Sequence, residues 1–418
     1  MLARSNDEAR LRVCMVTGYR PTPGGGGMEK HVYELASGLL ERNVDVEIIC
    51  EDRSFLPDHS HAFEDRILGV SPQSLRSLGW TELYREKSRR FAEMLHPERY
   101  DVVHCHSHYG FDAALKLSRL SYRPALVTTY HLTPVGQLER LRQLGIPEPD
   151  GAPIDRAVAR MEATAARLSD RCIAVSRSVG REIVRFYRVP RGRVSVVHNW
   201  YDSRNFGPCD SKRARRLLGL DVDATYLLYI GHFELHQGQL LAEVMRRLRP
   251  EIKLLAVHPT ADRSIQAEFG DRIRFVGYNR PERLALYYAA SDLQCFPAVY
   301  SGFGLVLIEG MACGCPPVVF NFPAMNEIVT SECGYLVNEP SPDAYAAAIL
   351  CGLRDGGSKR RAAVCRAGQF RMAPQIDRVL DIYEEARGSA NEAARGRRSG
   401  RYAHRREWPL IYASGRRS

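Results

Sequence analysis

Residues 12–50 read RVCMVTG, PTPGGGG, MEKHVYELASGLLER and VDVEIIC, with Tyr19 and Arg20 after the first block and Asn43 before the last. The first and last runs are short, apolar and rich in β-branched residues. Between them Val32, Leu35, Ala36, Leu39 and Leu40 recur at helical spacing. Two strands joined through a helix pair in parallel, so this stretch predicts a βαβ unit and an α/β fold.

The alternation continues. DVVHCHSH (101–108), ALVTTYH (125–131), RCIAVS (171–176) and VSVVHN (194–199) complete a first series of predicted strands. TYLLYIG (225–231), KLLAVH (253–258), IRFVG (273–277), DLQCFPA (292–298) and PPVVF (316–320) form a second. A chain of 418 residues suits two compact units. The expectation is two Rossmann-like, doubly wound parallel-sheet domains, at 10–200 and 201–370. A hinge is expected near 200–210, a C-terminal helix over 371–387 and a basic, disordered tail over 388–418.

Charge and cysteines limit the partners. Segment 391–418 carries eight arginines against Glu392 and Glu407, more than half of the net charge of +10. The body is too weakly basic to predict nucleic-acid binding, and the tail reads as a solubilising end. MLARSNDEARLRVCMV has charges where a signal peptide needs an apolar segment. The eleven cysteines form no CxxC pair and fit buried thiols. A cytoplasmic protein is expected. The amphipathic, basic segment LGWTELYREKSRRFAEMLH (78–96) reads as a solvated helix face. Its alternative is peripheral contact with the inner face of a membrane.

Ligands of doubly wound sheets bind beyond the carboxyl ends of the strands, so motifs just after strands carry the functional signal. PGGGGMEKH follows the first strand and lets backbone amides approach a ligand. Its consecutive glycines lack the G-x-G-x-x-G spacing of a dinucleotide turn, which leaves hydride transfer a weak rival. VYSGFGLVLIEGMACGCPPVVF (299–320) predicts a second glycine-opened helix. Amides at Phe303 to Leu305 suit an anionic group. Glu309 follows about two turns on, roughly 9–12 Å along the axis, and suits the vicinal hydroxyls of a ribose. The simpler alternative pairs Glu309 with an arginine at a domain edge. On a strand His104, His106 and His108 share one face, but no converging metal partner is legible, and no metal is expected. Asp221 and Asp223 form a DxD at the amino end of a strand, which reads as a turn.

The blocks GGGGMEKHVYELASGLLERNVDVEII, DVVHCHSH, TTYH, IAVSRSV, YIGHFELHQG, RIRFVGYNRPERLALYYAASDLQCFPA, GFGLVLIEGMACGCPPVV and NEIV occur in this order. Over residues 12–386 the chain resembles the family 4 retaining glycosyltransferases of GT-B fold. The resemblance implies two Rossmann-like domains facing a central cleft, a nucleotide-sugar donor held by the C-terminal domain and an acceptor held by the N-terminal one. It implies no metal and no other cofactor. Transferred position by position, Gly26 and Gly27 contact the ligand from the N-terminal side, and His131 assists at the sugar and leaving phosphate. Gly302, Phe303, Gly304 and Leu305 meet the diphosphate, and Glu309 binds the ribose. Three positions depart from the family pattern: His232 replaces an arginine, Gln237 a lysine and Ser301 the first glutamate of a pair. His258 and Pro259 replace a glycine turn. The expected function is transfer of a sugar, with retention, to an unidentified glycan, lipid or small-molecule acceptor. The alternative is a catalytically silent GT-B partner of an active transferase. If His232 stands at the phosphates, donor binding strengthens as pH falls through its pKa.

Overall fold

The computed structural model describes residues 10–52, 63–71, 78–148, 151–231, 236–258, 262–277 and 280–398. The expectations for His232, Pro259 and segment 399–418 fall outside the described residues.

The first sheet contains β1 (Arg12–Tyr19), β2 (Asp45–Glu51), β3 (Ile67–Val70), β4 (Val102–His106), β5 (Ala125–Tyr130), β6 (Arg171–Ala174) and β7 (Val194–Val196). The second contains β8 (Thr225–Ile230), β9 (Ile252–Val257), β10 (Ile273–Val276), β11 (Leu293–Phe296), β12 (Pro317–Phe320) and β13 (Tyr335–Val337). Their orders are β3-β2-β1-β4-β5-β6-β7 and β10-β9-β8-β11-β12-β13, every pairing parallel. Each sheet therefore reverses its winding once, between β1 and β4 and between β8 and β11. Those two crevices are where open α/β sheets place ligands.

Burial explains why the strands read as unbroken apolar runs. Val13 to Val16 are fully buried because helices cover both faces of a parallel sheet. The Gly27–Leu40 helix turns Val32, Leu35, Ala36 and Leu39 into the core. Asp221 accepts a 3.0 Å hydrogen bond from the Asp223 amide just ahead of β8, a turn on the far side from the crevice.

The chain crosses between the domains twice, side by side. The Tyr201 amide donates to the Phe370 carbonyl at 3.0 Å, and Tyr201 and Arg371 form an isolated parallel bridge. The last helix, Met372–Arg398, returns to the first domain and places Ile376, Val379, Ile382 and Tyr383 in a core with Val13, Val32 and Trp200. This corrects the expected boundary. The helix runs past 387 to Arg398, into the segment expected to be disordered, with Ala386 and Ala390 still packed on the first domain. Among the described residues, no helix is long and apolar enough to cross a membrane.

Candidate active site

The β1/β4 crevice is lined by imidazoles. His31 lies in the Gly27–Leu40 helix, His106 ends β4, and His131 follows β5. His106 Nδ1 and His131 Nε2 are 3.1 Å apart, and the His31 ring centroid is 4.8 Å from that of His131. Trp200 backs His31 at 4.5 Å between centroids. Burial lowers the pKa of all three. His31 falls to about 4, with Asn199 offsetting part of that effect, and neighbouring histidines add to the lowering at His106 and His131. The group is therefore uncharged near neutrality.

The expected alignment of His104, His106 and His108 is corrected at its third member. His104 and His106 stack, with centroids 4.5 Å apart. His104 is saturated by the Tyr383 hydroxyl and Thr129 Oγ1, both at 2.7 Å. His108 lies on a one-turn helix after the strand, which breaks the two-residue alternation and swings its ring to Tyr84, 4.7 Å away, and toward Glu162.

The β8/β11 crevice is built from small residues. Gly302 passes directly over the first domain: a Cβ there would lie 1.7 Å from the His131 carbonyl oxygen. Gly304, with φ of 110°, turns the chain into the Leu305–Ala312 helix. Phe303 is buried against His198 and Phe370 and anchors the turn. The Leu307 amide donates to the Gly304 carbonyl at 3.0 Å, which leaves the Leu305 and Val306 amides without a partner in the helix, opposite the turn that contains Gly26 and Gly27. A Cβ on Gly27 would lie 3.5 Å from Leu305 Cδ1. Ser301 is half-buried at the start of this loop, and Gln237 is half-buried in the first turn of the His236–Arg247 helix. The structure thus brings Gly27, His131, Gly302 and Leu305 together where the domains meet.

Glu309 differs from expectation. Its carboxylate is buried and pairs with Lys30 of the first domain, while its other oxygen accepts the Tyr288 hydroxyl at 3.0 Å. The partner at the domain edge is a lysine, where an arginine was the alternative expected from sequence. Lys30 also stands 4.0 Å from Glu34 and 4.5 Å from the centroid of the Phe206 ring. Burial alone would lower the Lys30 pKa, but Glu309, Glu34 and Asp202 reverse this and hold it raised. Burial raises Glu34 to about 8 against the pull of Lys30. Lys30, Glu309 and Glu34 thus meet as one buried cluster at the domain junction.

Two further bridges were not legible. The Tyr300 hydroxyl takes the Thr133 amide at 3.1 Å and lies 2.8 Å from Glu182 across the cleft. Glu327, in the NEIV block, accepts the Arg177 and Ser178 amides at 2.7 Å each, so the second domain caps a helix of the first. Burial would raise its pKa; His198 and those amides hold it below the usual range.

These features, two parallel Rossmann-like sheets with their switch points face to face over glycine-opened helices, define a glycosyltransferase of GT-B architecture. Sequence comparison makes the assignment specific. The profile of Glycosyltransferase Family 4 matches residues 25–205, and that of Glycosyl transferases group 1 matches residues 210–369. The chain belongs to the family 4 glycosyltransferases. It is 28% identical over 408 residues to D-inositol 3-phosphate glycosyltransferase of Acidothermus cellulolyticus, covering 90% of this chain and 89% of that one. Among solved structures, sucrose-phosphate synthase from Thermosynechococcus elongatus superposes with a TM-score of 0.75 at 21% identity, over 90% of this chain and 99% of that one. Anabaena Alr3699/HepE, in complex with UDP and glucose, gives 0.66 at 17%, over 89% and 99%.

Proposed function

We propose that this glycosyltransferase takes its sugar from a nucleoside diphosphate donor and transfers it with retention of anomeric configuration. The observation that carries the reading is the Gly302–Leu305 turn, which opens a helix directly above His131 and opposite Gly27. In this reading the first-turn amides of the Leu305–Ala312 helix neutralise the departing diphosphate without a metal. His131, uncharged and at the strand end, accepts or donates a hydrogen bond at the sugar. Ser301 replaces a charged anchor with a neutral one, and Gln237, with His232, replaces the usual cations. Glu309 reaches the ribose only after releasing Lys30. That the HepE structure holds UDP and glucose supports a donor of this class.

For the acceptor, the reading favours a phosphorylated or otherwise anionic alcohol. A groove of about 700 Å³ between the Trp80–Met94 and Ala152–Leu168 helices is lined by Arg85, Arg89, Arg90 and Arg160 against Glu82, Glu86 and Asp112. The Acidothermus relative is named for a phosphorylated polyol.

The silent-partner reading keeps one specific observation, the Lys30–Glu309 pair. A thermal-shift panel of UDP, GDP, ADP and TDP separates the two. Stabilisation by one nucleotide, diminished in Glu309→Gln, supports the transferase reading. No stabilisation by any nucleotide overturns the donor assignment.

A further inference from the structure

His31, His106 and His131 come from three separate elements, yet one ligand-capable nitrogen from each falls within 4.8 Å of the other two. We propose that these three histidines bind a divalent transition-metal ion of the zinc class. Zinc–imidazole bonds of about 2.0–2.1 Å place the nitrogens of a shared tetrahedral ion about 3.4 Å apart. The His106 and His131 nitrogens already approach at 3.1 Å. His31 has to close by up to about 1.4 Å, which a change in its side-chain torsions supplies.

Two independent features support a ligand here. His31 Nδ1 is buried with no hydrogen-bond partner among the described residues, an arrangement that calls for an ion or water. In addition, His31 and His106 are buried while His131 is half-exposed. The third ligand therefore faces the cleft, which supplies an entry path and an open fourth position. His104 is not a fourth ligand, since both its nitrogens are engaged.

The consequence for catalysis rests on the proposed function; metal binding itself does not. An ion on His131 removes that ring from the sugar, so zinc inhibits transfer.

The test uses the full-length protein, reduced with a phosphine, stripped with a chelator and titrated with Co²⁺. The expected result is visible d–d absorption from a four- or five-coordinate nitrogen and oxygen site without thiolate charge-transfer bands. His31→Gln and His106→Ala should each weaken this binding at least about tenfold. His96→Ala, at an exposed histidine, should not change it. Circular dichroism establishes that each variant is folded; if the alanine variant does not fold, His106→Gln takes its place. Absence of d–d absorption, thiolate bands, or identical binding in both crevice variants overturns the site. Binding as expected without inhibition by Zn²⁺ leaves the metal site standing and removes His131 from the transfer step.

Discussion

The two crevices share one topology and are filled in opposite ways. At the β1/β4 switch point, aromatic rings fill the space: His106 stacks on His131, His31 meets both edge-on, and Trp200 lies tilted against His31, with all three imidazoles uncharged. At the β8/β11 switch point, the backbone does the work through Gly302 and Gly304, and the side-chain contribution is an ion pair reaching back to Lys30. An imidazole stack changes little with the position of the other domain. A buried ion pair between domains depends on it entirely, because separation leaves each charge to be solvated or neutralised. The first crevice is thus built within one domain, and the second is closed by a contact that needs both.

The largest effect should come from breaking the ionic side alone. Lys30→Met leaves the Glu309 carboxylate buried with the Tyr288 hydroxyl, and removing one partner of a buried pair costs about 3–5 kcal/mol. Denaturant titration without nucleotide should show that loss. Nucleotide stabilisation should grow in the same variant, since Glu309 no longer has to release a cation before gripping a ribose. A smaller nucleotide effect than in the parent protein would make Lys30 a donor ligand and end the competition between them.

Gly302→Ala tests the backbone contact between the crevices. The added methyl would fall 1.7 Å from the His131 carbonyl oxygen, so the domains have to separate. Overpacking of this kind costs about 1–3 kcal/mol. Small-angle scattering should report a larger radius of gyration. An unchanged radius with full nucleotide binding would show that the loop yields and the domains do not.

How much of this was legible follows from where the determinants lie. The long apolar runs gave both sheets, but β3 and β13 went unread. They are edge strands, Ile67–Val70 interrupted by Gly69 and Tyr335–Val337 confined between Gly334 and Asn338, whereas the equally short β7 lies in the longer β-branched run VSVV. The glycine turns and His131 were found because they follow strands, where the topology guarantees proximity to the crevice. Lys30 was not found. Beside Glu34 at i+4 it reads as an ordinary solvated ion pair on a helix, and its partner Glu309 is 279 positions away. His31 was missed for the same reason: nothing local joins it to His106 and His131. Glu309 was singled out correctly as an acid in an apolar helix, but sequence could not say which cation neutralises it.

A buried and a half-buried carboxylate near the domain junction sharpen the comparison, because their pKa values shift in opposite directions. Glu34, raised to about 8 by burial, stays protonated in the folded protein where the unfolded chain ionises. Its contribution to stability therefore falls as pH rises, by about 2 kcal/mol between about pH 6 and 7.5. Glu34→Gln should flatten that slope in denaturant titrations at the two pH values. A slope that persists in the variant would assign the titration to another group.

Glu327 gives the smallest effect and the opposite sign. Despite its burial, His198 and the Arg177 and Ser178 amides hold its folded pKa below the usual carboxylate range. Its stabilisation is therefore complete above the unfolded pKa and disappears as pH falls through the folded one. Glu327→Gln should cost about 0.5–1 kcal/mol near neutrality, and the difference from the parent should vanish under acid conditions. The amides lie in the first domain and the acid in the second, so the cost should be absent from any variant whose domains have already separated. Combining Glu327→Gln with Gly302→Ala measures that directly. Additive losses would mean that the cap survives opening, whereas a double variant no less stable than Gly302→Ala would show that Glu327 and Gly302 act at one junction and open together.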